Sequence, residues 1–195
     1  MTKGEATRQF IIERSAPVFN KKGIAATAMS DIMEVTKLSK GSLYLHFDNK
    51  EMLASSVIDY NMELLFKKVI STVNQHTHPK DKLFAYLNVF IDPLHSPVSG
   101  GCPMMNFGIE ADDTNEEIRE KIARKIEVGQ QFIADIIKQG IKDNVFNSGW
   151  NYKEFATLMF AMIEGGVMIS RITNSNSKMK VIIRNIRNMI EAQVV

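Results

Sequence analysis

The residues best equipped for chemistry lie in one short stretch, Ser39-Lys-Gly-Ser-Leu-Tyr-Leu-His46. An ammonium, a phenol, two alcohols and an imidazole fall within it, around a glycine that permits close approach. These groups donate hydrogen bonds to anionic and carbonyl-type acceptors. They do not assemble a reaction centre. Elsewhere the chain shows no nucleophile–base pair, no paired carboxylates and no glycine-rich phosphate loop. His76 and His78 are two apart in a turn with no third ligand near them. One cysteine cannot complete a thiolate zinc site. No catalytic residue, metal site or cofactor is therefore expected, and the chemistry on offer is binding.

The elements that must position this stretch are two short helices. Thr27 and Ser39 are of the type that caps helix N-termini through a side-chain oxygen, so helices are expected over 27–35 and 39–46. The few residues after Val35 form a turn too short for the helices to lie antiparallel, so they cross steeply. That is a helix-turn-helix, whose second helix can enter a major groove. This second helix is about two turns long. Leu43 and Phe47 fall on its inward stripe, and the rest is polar or small, with little to bury.

The whole chain has 195 residues, with 45% hydrophobic and 24% charged, the usage of a folded chain. Lys and Arg number 24 against 22 Asp and Glu, a net charge of +2, so a polybasic coat is excluded and any nucleic-acid footprint is local. Apolar residues recur every three or four positions nearly throughout, which is the helical period. The first helix carries Ile12, Ala16 and Phe19, with Pro17 expected to weaken its turn. Further helices are expected over 49–73, around Leu83 to Phe90, and over 102–111, 115–144, 152–173 and 178–194. The fold class is all-α, with about nine helices. The lone Cys102 and the absence of an apolar leader or an uninterrupted apolar span point to a cytoplasmic protein with no membrane partner. Two charge runs stand out: six acids and one base over Glu110–Glu120, and five bases without an acid over Arg171–Arg187. The simplest reading of both is solvated surface.

Three runs together resemble the DNA-binding domain of the TetR (tetracycline-repressor) family. They are Gly23-x3-Thr27-x4-Ile32, Leu38-Ser-Lys-Gly-Ser-Leu-Tyr-Leu-His-Phe47 and Asn49-Lys-Glu-Met-Leu53. The likeness covers about residues 8–60, and the rest of the chain is similar in kind to the family's variable helical half. It implies a three-helix DNA-binding domain over 1–50 and a ligand-binding and dimerisation domain over 51–195. It implies that Thr27 binds a phosphate from the first cap and that Ser39 caps the recognition helix. Lys40 and Ser42 would lie in the groove, with Gly41 allowing approach. Tyr44 and His46 would bind phosphates, Leu45 would meet a thymine methyl, and Lys50 would add a point charge. Two positions depart from the family pattern. Lys37 stands where the turn usually has Gly, and Ser30 where relatives often have Arg.

The second half is rich in Met and Phe. Phe66, Phe90, Met104, Met105, Phe107, Phe132, Met159 and Met162 are candidates to line an apolar ligand pocket. The stretches 152–173 and 178–194 are apolar on more than one face, with Ala161, Gly165 and Gly166 small enough for close helix approach. Two copies packing residues 152–194 would form a four-helix bundle, so a homodimer is expected, with Ile186 in its interface. Cys102, at a helix start after Gly100-Gly101, is a candidate thiol sensor, against the alternative of a buried packing residue. The function expected is a ligand-responsive transcriptional regulator. In it a dimer represses from a palindromic double-stranded DNA operator and is released by a small apolar effector. The alternative is a DNA-binding structural or interaction module with no effector.

Overall fold

The computed structural model describes residues 2–195. Helix α1 (Lys3–Lys22) starts from Thr2 through a reciprocal box. Thr2 Oγ1 accepts from the Glu5 N–H at 3.2 Å, and the Glu5 carboxylate accepts from the Thr2 N–H at 2.7 Å. The helix runs through Pro17 without interruption. Pro17 and Glu13 lie on its exposed face, so the carbonyl that loses its helical donor to the proline is on the side that faces solvent.

There follow α2 (Met29–Thr36), α3 (Lys40–Tyr44), α4 (Lys50–Val73), α5 (Pro79–Val89), a 3-10 turn (Pro93–His95), α6 (Pro103–Ala111), α7 (Glu116–Lys142), α8 (Tyr152–Ile172) and α9 (Ser177–Glu191). Among the described residues these are nine α-helices without a strand, apart from one isolated bridge pairing Phe146 with Val194. The all-α expectation holds.

Two compact units form. The first holds the chain up to Leu65 together with Pro97–Ala123; the second holds Phe66–Ser96 and Arg124–Val195. Helices α4 and α7 each contribute to both. The first unit buries Ile11, Phe19, Ile32, Leu43, Phe47 and Leu53. Helix α6 belongs to it and packs on α1.

In the second unit α8 and α9 pack along their length. Gly166 makes this possible: a Cβ there would stand 2.8 Å from Met179 Cε. Helix α8 has the length and composition of a membrane span, yet it is a core helix, with Phe155, Met159, Ile163 and Val167 buried. Ile186, expected at a subunit interface, is 0% exposed and belongs to this internal core with Ile183 and Ile190. A periodic apolar stripe does not specify which neighbour covers it.

Candidate nucleic-acid interface

Helix α2 ends at Lys37, whose backbone is left-handed at φ 58° and ψ 22°. A side chain in that region costs about 1–2 kcal/mol. The turn offsets this locally. The Lys37 N–H donates to the Met33 carbonyl at 2.8 Å, and the Thr36 hydroxyl donates to the Ile32 carbonyl at 2.6 Å. Ser39 then caps α3, its Oγ accepting from the Ser42 N–H at 3.2 Å. Such a cap contributes about 1 kcal/mol.

Helix α3 is anchored by Leu43, and Phe47 follows in the core. That rotation leaves Ser39, Lys40, Gly41, Tyr44 and Leu45 exposed, with Ser42 and His46 half-buried. Leu45 is 84% exposed. Lys40 Nζ stands 5.8 Å from the centroid of the Tyr44 ring, within cation–π range, so the two side chains share one edge. The edge offers an ammonium, a phenol, an alcohol and an apolar tip, with a glycine at which a Cβ would meet nothing within 4 Å.

Two expected contact residues are placed otherwise. Thr27 is not the cap of α2; Ala28 occupies that position, and the Asp31 carboxylate accepts from its N–H at 3.0 Å. The Thr27 hydroxyl donates to the Gly23 carbonyl and the residue is 1% exposed, which leaves no face for a phosphate. Lys50 is not a free point charge either. Its Nζ donates to the carbonyls of Ile24, Thr27 and Ala25 at 2.8, 3.1 and 3.4 Å. Asp31 also pairs with Lys22 at 2.8 Å. The Lys22 hydrogen bond, followed by the Ala28 N–H, holds its carboxyl below the ordinary aspartate range.

Glu110 of α6, which the sequence shows only as one of a run of acids, meets the same turn. Its carboxylate accepts from the Ile24 and Ala25 N–H groups, each at 2.7 Å. Helix α6 is held at its start as well. Asn20 Nδ2 donates to the carbonyls of Ser99 and Gly101 at 2.9 and 3.1 Å, and Asn106 Nδ2 donates to those of Asn20 and Gly100 at 2.9 and 3.1 Å. Gly100 has φ 105°, and a Cβ there would stand 2.9 Å from the Asn20 carbonyl oxygen.

Residues 11–57 match the family model for bacterial regulatory proteins of the tetR family. Residues 79–186 match the model for the tetracyclin repressor-like C-terminal domain. The chain belongs to the TetR family. A solved TetR-family transcriptional regulator from Cytophaga hutchinsonii is 35% identical, with a TM-score of 0.95 over 100% of this chain and 98% of that one. A TetR transcriptional regulator from Chloroflexus aurantiacus is 34% identical, again at a TM-score of 0.95 over 100% and 98%. The HTH-type transcriptional regulator LmrA of Bacillus subtilis is 26% identical over 91% of this chain and 92% of its own. Members of the TetR family are DNA-binding transcriptional regulators, generally repressors, and not enzymes.

In this TetR-family chain the eight candidate pocket residues divide between the units. Met104, Met105 and Phe107 lie in the first; Phe66, Phe90, Phe132, Met159 and Met162 lie in the second. The structure brings Phe90 and Phe132 together around Tyr86, at centroid distances of 5.2 and 6.3 Å. A groove of about 710 Å³ between α7 and α8 is lined instead by residues such as Arg124, Glu127, Val128 and Lys153. Cys102 is buried, with Pro103 opening α6 behind it. A covered thiol does not meet oxidants in solution, so burial opposes the sensor reading. Along α8, Leu158, Met168, Ile169 and Ile172 are exposed, and Val181 and Met189 are exposed on α9. Gly165 is half-buried on α8, and a Cβ there would meet nothing within 4 Å.

Proposed function

We propose that this TetR-family regulator is a homodimeric repressor that reads a palindromic operator with α3 and leaves it when a small apolar molecule binds its second unit. The observation that carries the DNA reading is the exposed edge of α3, where Leu45 stands in water beside Lys40 and Tyr44. A buried Leu43 two residues earlier holds that edge outward. Lys40 donates to guanine or to phosphate, Leu45 meets a thymine methyl, and Tyr44 and His46 bind the backbone on either side. Ser39, Gly41 and Ser42 set the closeness of approach.

The dimer reading rests on the stripe through Leu158, Gly165, Met168 and Ile172, spaced to lie on one face of α8 and continued on α9 by Val181 and Met189. Two such faces form a twofold four-helix bundle. Twofold symmetry sets the recognition helices roughly 34–36 Å apart, or a multiple of that. The effector reading rests on the aromatic and thioether side chains of the second unit, among them Phe66, Phe90, Phe132, Met159 and Met162. An effector with higher affinity for the conformation that does not fit DNA shifts the population toward it.

Selection from a random-sequence duplex pool tests the reading. Recovered sequences with two inverted half-sites about one helical turn apart are expected, and a panel of apolar compounds should contain one that raises the melting temperature and releases the duplex. Enrichment of no sequence, or of sequences without inverted symmetry, overturns the DNA reading. Release by no compound favours the module without an effector.

A further inference from the structure

The turn between α1 and α2 is held by two opposite charges from distant parts of the chain, and neither belongs to the exposed edge of α3. Its N–H groups at Ile24 and Ala25 both go to the Glu110 carboxylate at 2.7 Å, while its carbonyls at Ile24, Ala25 and Thr27 go to the Lys50 ammonium. Gly23 opens the turn at φ 82°, and a Cβ there would stand 2.7 Å from Glu110 Oε2. Glycine therefore serves two needs at this position: the left-handed backbone and the space into which the carboxylate fits. Thr27 closes the turn from within by donating to Gly23.

We propose that Glu110 is a positioning residue for operator binding: its carboxylate fixes where α2 begins, and through α2 where the reading edge of α3 lies. This rests on the DNA-binding reading above. Among the described residues, the Ile24 and Ala25 N–H groups have no backbone acceptor. Without the carboxylate the Ile24 and Ala25 N–H groups must turn to water, and the turn then has several conformations available instead of one. Helix α2 begins at Met29, a few residues on, and α3 follows after a turn of three residues, so the error passes directly into the reading edge. The position of α6 reinforces the role. Asn20 and Asn106 lock its start onto the end of α1, so Glu110 reaches the turn from a helix that is itself anchored.

The competing account makes Glu110 one more acid in the solvated run that ends at Glu120. The two accounts give opposite signs. Removing a negative charge from a DNA-binding protein tightens binding on electrostatic grounds alone. Removing a positioning carboxylate weakens it.

The test uses the full chain and a duplex selected by the wild type from a random pool. Glu110→Gln keeps the shape of the side chain and loses the charge and one acceptor oxygen. Asp113→Asn removes an exposed acid nearby as a control. Glu110→Gln should bind the duplex about tenfold more weakly, the scale of one lost charge-assisted hydrogen bond. Asp113→Asn should bind as tightly as wild type or more tightly. In amide NMR of the free protein, the Ile24 and Ala25 protons should move upfield and exchange faster in Glu110→Gln, while Leu43 in α3 keeps its protection. Binding by Glu110→Gln that equals or exceeds wild type, or unmoved Ile24 and Ala25 amides, overturns the proposal. A wild type that enriches no duplex overturns the DNA reading instead, while the amide shifts still report on the clamp.

Discussion

Helix α3 and the paired helices α8 and α9 both leave apolar side chains in water, but the surroundings of those side chains differ. At the end of α3 the exposed Leu45 is the one aliphatic tip, beside Lys40, Gly41 and the half-polar Tyr44. On α8 the exposed Leu158, Met168, Ile169 and Ile172 recur at helical spacing, next to the open Gly165. A single apolar tip among hydrogen-bond donors suits a ligand that is polar with isolated methyl groups, as a DNA groove is. A continuous apolar stripe with a small residue at its centre suits another helix of the same kind. Anchoring and exposure are also divided differently in the two regions. In α3 one buried leucine holds the helix, whereas α8 is held along its whole inner face.

The largest effect is expected at Gly165. A Cβ at Gly165 would meet nothing within 4 Å in the subunit, so Gly165→Arg should keep the protomer folded, checked by its melting temperature, and block the stripe. Monomers by light scattering and operator affinity lower by about 100-fold or more are expected, since each monomer then binds one half-site without its linked partner. Next comes the pair Leu43→Ala and Leu45→Ala. The first empties a buried site and should cost about 2–5 kcal/mol of stability. The second should leave the melting temperature unchanged and cost about 1–3 kcal/mol of discrimination at one base pair, read by binding to single-base operator variants. The smallest effect concerns acid. Asp31 has a depressed pKa in the folded state, so its contribution is present above the ordinary aspartate pKa and is lost as pH falls through the depressed value. Unfolding measured across the acid range should lose slightly less stability in Asp31→Asn than in wild type. The difference is small because the Lys22 partner is exposed.

Much of this was legible in the sequence, and the misses have physical causes. Leu43 and Phe47 were readable as core because helical period decides which face turns inward. Ser39 was readable as a cap because its hydroxyl serves a residue only three positions on. Thr27 looked equally suited to cap, but its hydroxyl found the Gly23 carbonyl first, and the cap fell one residue later at Ala28. Lys50 was readable as a charge and not as a clamp, since its acceptors are backbone carbonyls that carry no residue signature. Glu110 was hidden for the same reason, with its partners some 85 residues away. Helix α6 is short and preceded by glycines, and nothing in its own residues shows what anchors it. Two asparagines and a carboxylate hold it, and only the fold brings those together. Ile186 and the Met and Phe set show the limit of composition: it finds apolar residues without telling core from interface or pocket.

The division between reading edge and supporting clamp is tested most directly by a salt series. Binding of wild type, Lys40→Ala and Lys50→Met to the selected duplex would be followed by fluorescence anisotropy from low to moderate salt, alongside thermal melting of each protein. The account predicts that Lys40→Ala melts like wild type and loses affinity, with a slope of log affinity against log salt reduced by about one if Lys40 takes a phosphate, or a changed base preference if it takes guanine. It predicts that Lys50→Met melts lower, because three carbonyls lose their donor. A Lys40→Ala protein that binds like wild type at every salt concentration, or a Lys50→Met protein that melts like wild type, would contradict it.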